Sequence, residues 1–297
     1  MPPERIAQTY GPGITAASKT ALLELMTVLR AYREALVLVG GWAPYFLLER
    51  HRRPGDPFTH VGSIDIDLAV DPSRVDEPEY ATIIELLRER GYRPAPDRRG
   101  RVIPHSVERA VQSPTTQKPY AIRVDFLTPP APLDSAERPT GPHAVPVQDE
   151  LLARKVKGCE AAFAHHVTIE MRGTLPDGGE ITVPVRVADL VAMLTMKGIV
   201  LGERYREKDA YDLYVLVGHC GAGPRAVADA VRPHLADPLV REAMALIRSA
   251  FERREANGPA WVASFLVSPV FTAERERLIT DAFMVVREFT THLGALA

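Results

Sequence analysis

Two aspartates, Asp65 and Asp67, lie one residue apart in SIDIDLAV, residues 63–70. The stretch alternates polar and apolar residues, which is typical of a strand with one buried face. Side chains two positions apart on a strand point the same way, so both carboxylates would share a face with Cα atoms about 6.6 Å apart. The other face would point into a core and consists of Ile64, Ile66 and Leu68.

Two neighbouring carboxylates repel each other unless a cation lies between them. Mg²⁺, or Mn²⁺ in its place, binds a few carboxylates together with water and substrate phosphates, and two such ions can hold the attacking and leaving oxygens of a phosphoryl displacement. A third acid, Asp125, lies in the later alternating segment 119–129, where Arg123 would share its face and contact phosphate oxygens. We therefore predict a metal site formed by Asp65, Asp67 and Asp125.

A pair of glycines, Gly40 and Gly41, separates an apolar strand at 35–39 from a helix that begins near Trp42. Glycines at such a turn let the backbone approach a phosphate, and the helix N-terminus offers unpaired N–H groups. Alone, a glycine pair can be only a tight turn. An isolated Asp-x-Asp can be a solvated sheet edge, and it also occurs in glycosyltransferases. The order strand, glycine pair, helix and Asp-x-Asp strand is more specific than either motif alone, and it favours a nucleotide-binding site.

One of the six lysines, Lys197, lies on a predicted helix at 188–204. It falls near one stripe with Leu190, Leu194 and Leu201. A lysine on an apolar face is costly without a partner, and Asp209 and Asp212 share one face of the next predicted helix, 208–220. Two interpretations stay open and are compatible. Lys197 forms a structural bridge between the helices, or it contacts a phosphate or nucleobase while Asp212 orients it.

The whole chain has 297 residues, 46% hydrophobic residues and a net charge of −2, so it has no bulk basicity that would indicate nucleic-acid binding. We predict an α/β (α+β) fold, with a mixed sheet and flanking helices at 1–187 and a helical region at 188–297 that contributes to the active-site cleft. The two cysteines lack metal-binding spacing, and no apolar run reaches about 18 residues. We expect a cytoplasmic protein with reduced cysteines and no membrane span.

These motifs resemble those of known proteins. GGWA followed by SIDIDL resembles the signature of the DNA-polymerase-β-type nucleotidyltransferase superfamily. The stretch VADLVAMLTMKGIVLGERYREKDAYDLYVLV, residues 187–217, resembles the AbiEii family of nucleotidyltransferase toxins, known from abortive-infection and type IV toxin–antitoxin systems. The resemblance covers residues 36–220 and implies a nucleotidyltransferase-type sheet.

The resemblance also implies site residues. The nucleoside triphosphate would bind at Gly40, Gly41, Ser63, Lys197 and Asp209. The catalytic set would be Asp65, Asp67, Asp125, Lys197 and Asp212, and the first three would hold the metal. The gap between Gly41 and Asp65 is longer than in the compact form of the pattern, and the match of Asp125 depends on its strand context alone.

The activity implied is Mg²⁺-dependent transfer of a nucleoside monophosphate from a nucleoside triphosphate to an acceptor hydroxyl. For some family members the acceptor is the 3′ end of tRNA, and the result is growth inhibition. The resemblance therefore implies two partners, an RNA acceptor and a cognate antitoxin protein. Two alternatives stay open, namely transfer to a small molecule or a protein, and a non-catalytic relative that only binds nucleotide or a partner.

Overall fold

The computed structural model describes residues 6–53, 55–75, 81–130, 144–203, 207–267 and 272–294. The many prolines of residues 129–146 predict a surface loop or a linker, and most of that stretch lies outside the described residues. Amphipathic spacing predicts a helix at 78–91, and its start also lies outside them.

The chain forms two compact units. The sheet unit comprises Pro12–Trp42 and Gly62–Ala188, and the helical unit comprises Met1–Gly11, Ala43–Val61 and Asp189–Ala297. The boundary expected at 187/188 lies one residue from the break at 188/189, and the helical unit also takes in two earlier segments.

The sheet unit contains one mixed sheet with nine strands among the described residues. In chain order they are β1 Leu36–Val39, β2 Ile66–Val70, β3 Arg93–Pro96, β4 Val102–Gln112, β5 Pro119–Thr128, β6 Ala144–Gln148, β7 Leu151–Lys155, β8 His166–Thr174 and β9 Glu180–Ala188. The main order is β3-β4-β5-β2-β1-β9-β8, while β7 pairs with β5 and β6. Central β1 is buried along its whole length, as expected for a continuous apolar run, LVLV.

Two pairings place the candidate residues. Strand β2 runs antiparallel to β1, with Val39 opposite Asp67. It runs parallel to β5, with Asp67 opposite Asp125. The loop end of β1, the start of β2 and the middle of β5 are therefore neighbours in the sheet.

Helices of the sheet unit are α1 Pro12–Val28, α3 Ile83–Glu89 and α4 Glu160–Ala164. Helix α1 contacts β4, β5, β8 and β9 and buries most of its length. Apolar residues at helical spacing predict this helix at 17–33, with a cap near Thr15 or Ser18, but these bounds were wrong, since it begins at Pro12 and ends at Val28. Pro12 suits the first turn because its φ angle is already helical, and the helix gives way to a short 3-10 turn after Val28.

The strand predicted at 63–70 is shorter than expected, because it begins at Ile66. Residues 64 and 65 form a bend, so Asp65 lies just before the strand and Ile64 is only half-buried. The physical reason is pairing: the first residue of β2 with a strand partner is Ile66, which lies opposite Val124 of β5. The predicted shared face of Asp65 and Asp67 relied on strand geometry that Asp65 does not have.

The helical unit contains most of α2 Trp42–His51 and the helices that follow the sheet. These are α5 Leu190–Glu203, α6 Glu207–His219, α7 Pro224–Val231, α8 Pro238–Ala250, α9 Asn257–Leu266 and α10 Ala273–Leu293. Helix α5 packs against α6 and α8, and α6 also packs against α9 and α10. None of the helices in the described residues combines the length and apolarity that crossing a membrane requires.

The predicted fold class is confirmed, since a mixed sheet with flanking helices is followed by a helical C-terminal region. Four predicted elements also match closely. The second helix begins at Trp42, and the helices predicted at 188–204 and 208–220 are α5 and α6. The Pro-Asp-Gly-Gly turn within 167–187 predicts a β-hairpin, which β8 and β9 form.

Candidate active site

The glycine turn after β1 lies against the carboxylate of Asp67. Gly40 has φ +67°, and a Cβ atom added there would lie 1.9 Å from Asp67 Oδ2 and 2.7 Å from Asp67 Cβ. Only glycine tolerates both the left-handed backbone and this close approach. A glycine is therefore required at position 40, because a residue with a side chain would prevent the backbone turn from contacting Asp67. Helix α2 begins two residues later, at Trp42.

Two of the three predicted acids share one face of the sheet. Asp67 and Asp125 are register partners on parallel strands, so their side chains point the same way from strands about 4.8 Å apart. Both are half-buried. The prediction that the strand of Asp125 neighbours that of Asp67 is confirmed. The opposite face is fully buried and consists of Ile66, Leu68, Val124 and Phe126.

Asp125 has a hydrogen-bond donor beside it. Ser106 of β4 lies opposite Asp125 in register, and its hydroxyl donates to Asp125 Oδ1. Arg123, expected to contact phosphate, donates to the carbonyl oxygen of Pro96 at 2.9 Å. Its guanidinium is therefore already partly engaged within the sheet unit.

Two basic residues near Asp125 were missed by sequence reasoning. Burial lowers the pKa of His105, as does the charge of Arg154, while the charge of Asp125 opposes the shift. Within the described residues, His105 Nδ1 and Arg154 Nε are buried and have no hydrogen-bond partner. Arg154 lies opposite Leu127 on β7, hence on the same face as Asp125. No local sequence pattern marks either residue, because strand pairing, not sequence spacing, brings β4 and β7 beside β5.

A divalent cation fits this donor set only with help from other ligands. In the described part of the chain, no group of three or more His, Cys, Asp or Glu side chains could hold a metal ion. Mg²⁺ commonly uses one or two protein carboxylates and completes its shell with water and phosphate oxygens. Asp67 and Asp125 supply two hard oxygen ligands of that kind. The assignment of Asp65, Asp67 and Asp125 as metal ligands stays a prediction.

Ser63 precedes the Asp-x-Asp segment in the sequence, and Trp42 follows the glycine turn. Ser63 is 6% exposed. Gly62, with φ +78°, lies next to it, and a Cβ added there would contact Thr15 and Trp42. Trp42 is buried, and its indole donates to Ser18 Oγ at 3.0 Å, so its side chain packs within the sheet unit. The nucleotide-binding roles of Gly40, Gly41 and Ser63 stay predictions.

In the helical unit, the predicted lysine lies between the two predicted aspartates. Lys197 Nζ of α5 lies 2.6 Å from Asp209 Oδ1 and 2.8 Å from Asp212 Oδ2 of α6. The Asp212 side chain is fully buried. The structural interpretation of Lys197 as a bridge between packed helices is therefore confirmed, and its contact with a phosphate or nucleobase stays a prediction.

Two further residues, His60 and Lys208, complete this cluster. His60 Nε2 lies 3.0 Å from Asp212 Oδ1, and the Lys208 ammonium also donates to that oxygen. Asp212 thus accepts from three side chains. Lys208 has a recognisable signal, because it lies four residues before Asp212 on one helix. His60 has none, because 152 residues separate it from Asp212 in the sequence.

The buried charged groups shift one another's pKa values. Burial alone would lower the pKa of Lys197, but the carboxylates of Asp209 and Asp212 raise it above its usual value. Burial would raise the pKa of Asp212, but Lys197 and Lys208 hold it well below its usual range. Burial and the Lys208 charge lower the pKa of His60 to about 4, against an opposing effect of Asp212. Asp212 is therefore ionised and His60 is neutral near pH 7.

The comparisons with known proteins bear on residues across both units. The family model described as "Nucleotidyl transferase AbiEii toxin, Type IV TA system" matches residues 22–267. No curated protein matches the chain. A crystal structure of JHP933 from Helicobacter pylori is similar over 92% of this chain and 93% of that one, at 11% identity and a TM-score of 0.36, a likeness too low to support any argument.

Proposed function

Because the chain belongs to the AbiEii family of nucleotidyltransferase toxins of type IV toxin–antitoxin systems, we propose that it transfers a nucleoside monophosphate from a nucleoside triphosphate to an RNA hydroxyl. The 3′ end of tRNA is the proposed acceptor. The observation that carries the proposal is the register pairing of Asp67 with Asp125 beside the Gly40 turn. This arrangement supplies two carboxylates and an approachable backbone, the parts that phosphoryl transfer requires.

The triphosphate would bind at the glycine turn. Gly40 and Gly41 precede the ten-residue helix α2, whose first N–H groups have no partner within the helix. Such a helix start attracts phosphate through these donors and through the helix dipole. Ser63 would add a hydroxyl donor to a phosphate oxygen.

Mg²⁺ or Mn²⁺ would be held by Asp67 and Asp125, with Asp65 as the third predicted ligand. When bound, the cation would neutralise the carboxylates and polarise the α-phosphate. Arg154, whose Nε has no hydrogen-bond partner in the described residues, offers an additional donor to phosphate oxygens on the same face.

In the proposed reaction, the acceptor oxygen forms a bond to the α-phosphorus. The bond from that phosphorus to the bridging oxygen of the β-phosphate breaks, and pyrophosphate leaves. The proton of the acceptor hydroxyl passes to Asp125, which is half-buried and oriented by Ser106. Asp125 thus has two proposed roles, as proton acceptor and as metal ligand, which mutant kinetics can separate.

Lys197 would neutralise charge that builds on the phosphates. An ammonium group has three N–H donors, and the two carboxylates of Asp209 and Asp212 take two of them. In the part of the chain that the structure describes, the third donor has no acceptor, and it would donate to a phosphate oxygen. Asp212 would orient Lys197, while Asp209 would accept a second hydrogen bond from its ammonium group.

Membership of a type IV toxin family implies a cognate antitoxin, and we include such a protein among the proposed partners. The cytoplasm is the proposed location, since nucleoside triphosphates and tRNA are found there.

The proposal is tested by offering each α-³²P-labelled nucleoside triphosphate with Mg²⁺ to total RNA and, separately, to total protein. We expect wild type to label RNA, Asp67→Asn to lose the label, and the matched control Asp149→Asn at an exposed turn to keep it. Label on protein or on a small molecule would replace RNA as the acceptor. Binding of nucleotide without label on any acceptor would overturn the enzymatic function.

A further inference from the structure

The cluster around Asp212 contains more than the lysine and aspartates expected of the site. Asp212 Oδ2 accepts from Lys197 at 2.8 Å, whereas Oδ1 accepts from both Lys208 and His60. One carboxylate oxygen therefore faces the site lysine, and the other is fixed by two side chains without an assigned role.

Opposite charges pair within the cluster. Lys197 contacts Asp209 and Asp212, Lys208 contacts Asp212, and His60 is neutral near pH 7. Burial lowers the pKa of Lys208, and the charge of Asp212 opposes that shift. Without Lys208, Oδ1 of the fully buried Asp212 would lose its charged partner, which is costly in a site of low dielectric.

The position of Lys208 is itself fixed by aromatic rings. Its Nζ lies 5.3 Å from the ring centre of Tyr10, 5.2 Å from that of Tyr211 and 5.7 Å from that of Phe265. These rings come from the N-terminal segment, α6 and α9. Cation–π attraction to three rings holds the ammonium in place while it donates to Asp212.

The hydrogen bond to Asp212 also determines the tautomer of His60, that is, which ring nitrogen carries the proton. A neutral imidazole has one N–H, and Asp212 is ionised, so Nε2 must carry the proton. The charged or titratable groups that face this histidine come from three helices: Tyr45 of α2, Lys197 of α5, and Lys208, Tyr211 and Asp212 of α6.

We propose that Lys208 and His60 are positioning residues that fix the Asp212 carboxylate through Oδ1, so that Oδ2 orients Lys197 for its phosphate. Lys208 fixes the carboxylate through its positive charge, and His60 fixes it through a hydrogen bond from its neutral Nε2–H group. The kinetic part of this inference rests on the proposed function. The electrostatic link from Lys208 to His60 does not, so it can be measured whether or not the protein transfers nucleotide.

The link is tested by NMR of ¹⁵N-histidine-labelled full-length protein, with His60→Gln used to assign the His60 signals among the nine histidines. Wild type should show the Nε2–H tautomer and a pKa near 4 for His60. Lys208→Met should raise that pKa by roughly 1–2 units, because a positive charge is removed and Asp212 remains. Lys208→Arg, which keeps the charge, and Lys118→Met, which removes an exposed lysine, should leave it unchanged.

An unchanged His60 pKa in Lys208→Met, or a Nδ1–H tautomer in wild type, would overturn the inference. Circular dichroism checks that each variant folds. If Lys208→Met does not fold, Lys208→Gln takes its place, since it removes the charge and keeps a polar side chain.

The kinetic test uses label transfer to the RNA acceptor. Lys208→Met should lower kcat by about 10- to 100-fold, the usual cost of removing a group that orients a site residue, with little change in KM for the nucleotide. Lys208→Arg should restore most of the rate. A wild-type rate in folded Lys208→Met would overturn the positioning role. If wild type transfers no label, the proposed function fails, whereas the NMR comparison still decides the link.

Discussion

Gly40 and Asp67 are in such close contact that no other residue fits at position 40. A Cβ there would lie 1.9 Å from Asp67 Oδ2, and the backbone has φ +67°. We expect Gly40→Ala to lower the free energy of unfolding by about 2–4 kcal/mol, because it adds a clash to the cost of a left-handed backbone. Urea denaturation measures this change.

Gly100→Ala is the matched control. Gly100 has φ +77° in the same unit, but nothing lies within 4 Å of the position of its Cβ. It should therefore show the backbone cost alone, about 1–2 kcal/mol. Equal destabilisation by the two substitutions would contradict the packing of Asp67 against the turn. Gly40→Ala should also lower nucleotide transfer, while Gly100→Ala should not.

The two proposed roles of Asp125 predict different kinetics. Asp67→Asn and Asp125→Asn should each lower kcat/KM by about 10²- to 10⁴-fold. If both residues bind Mg²⁺, both variants should need more Mg²⁺ for half-maximal rate. A normal Mg²⁺ requirement in Asp125→Asn, together with the lowered rate, would assign Asp125 to proton transfer alone. Near-normal rates in both variants would exclude the pair from the reaction.

The Asp-x-Asp segment shows what sequence alternation can and cannot predict. The period-two pattern correctly placed Ile66 and Leu68 in the core and Asp67 on the other face. It extended the strand too far, because alternation continues through Ile64 and Asp65 whereas strand pairing begins at Ile66. A strand end depends on its partners, and these lie elsewhere in the chain.

The cluster around Asp212 shows the same limit at longer range. Lys197, Asp209 and Asp212 could be predicted because helical spacing places them on adjoining faces of consecutive helices. His60 could not, since it comes from the loop between α2 and β2 and reaches Asp212 only through the fold of the helical unit.

Stability should depend on pH through His60. Its pKa is about 4 in the folded protein and 6.5 in its ordinary state, so between these values the unfolded chain binds more protons. The free energy of unfolding should therefore fall as pH decreases from 6.5 to 4, by up to about 3 kcal/mol. His60→Gln should lack this component. Parallel pH profiles for His60→Gln and wild type in chemical denaturation would contradict it.

Removal of the central lysine should cost more than removal of a surface partner. Lys197→Met leaves two buried carboxylates without their shared cation and should lower the free energy of unfolding by about 3–5 kcal/mol. Arg88→Met breaks an exposed ion pair with Glu150 and should cost less than about 1 kcal/mol. Similar losses measured by urea denaturation would show that the buried cluster contributes little.

Incubation of purified tRNA with the protein, Mg²⁺ and each nucleoside triphosphate, followed by measurement of the intact tRNA mass, shows whether the protein transfers nucleotides to RNA. Wild type should add the mass of one or more nucleoside monophosphates at the 3′ end and release pyrophosphate in equal amount, while Asp67→Asn should add none. Unchanged tRNA mass with every nucleotide, or equal addition by wild type and Asp67→Asn, would contradict the account.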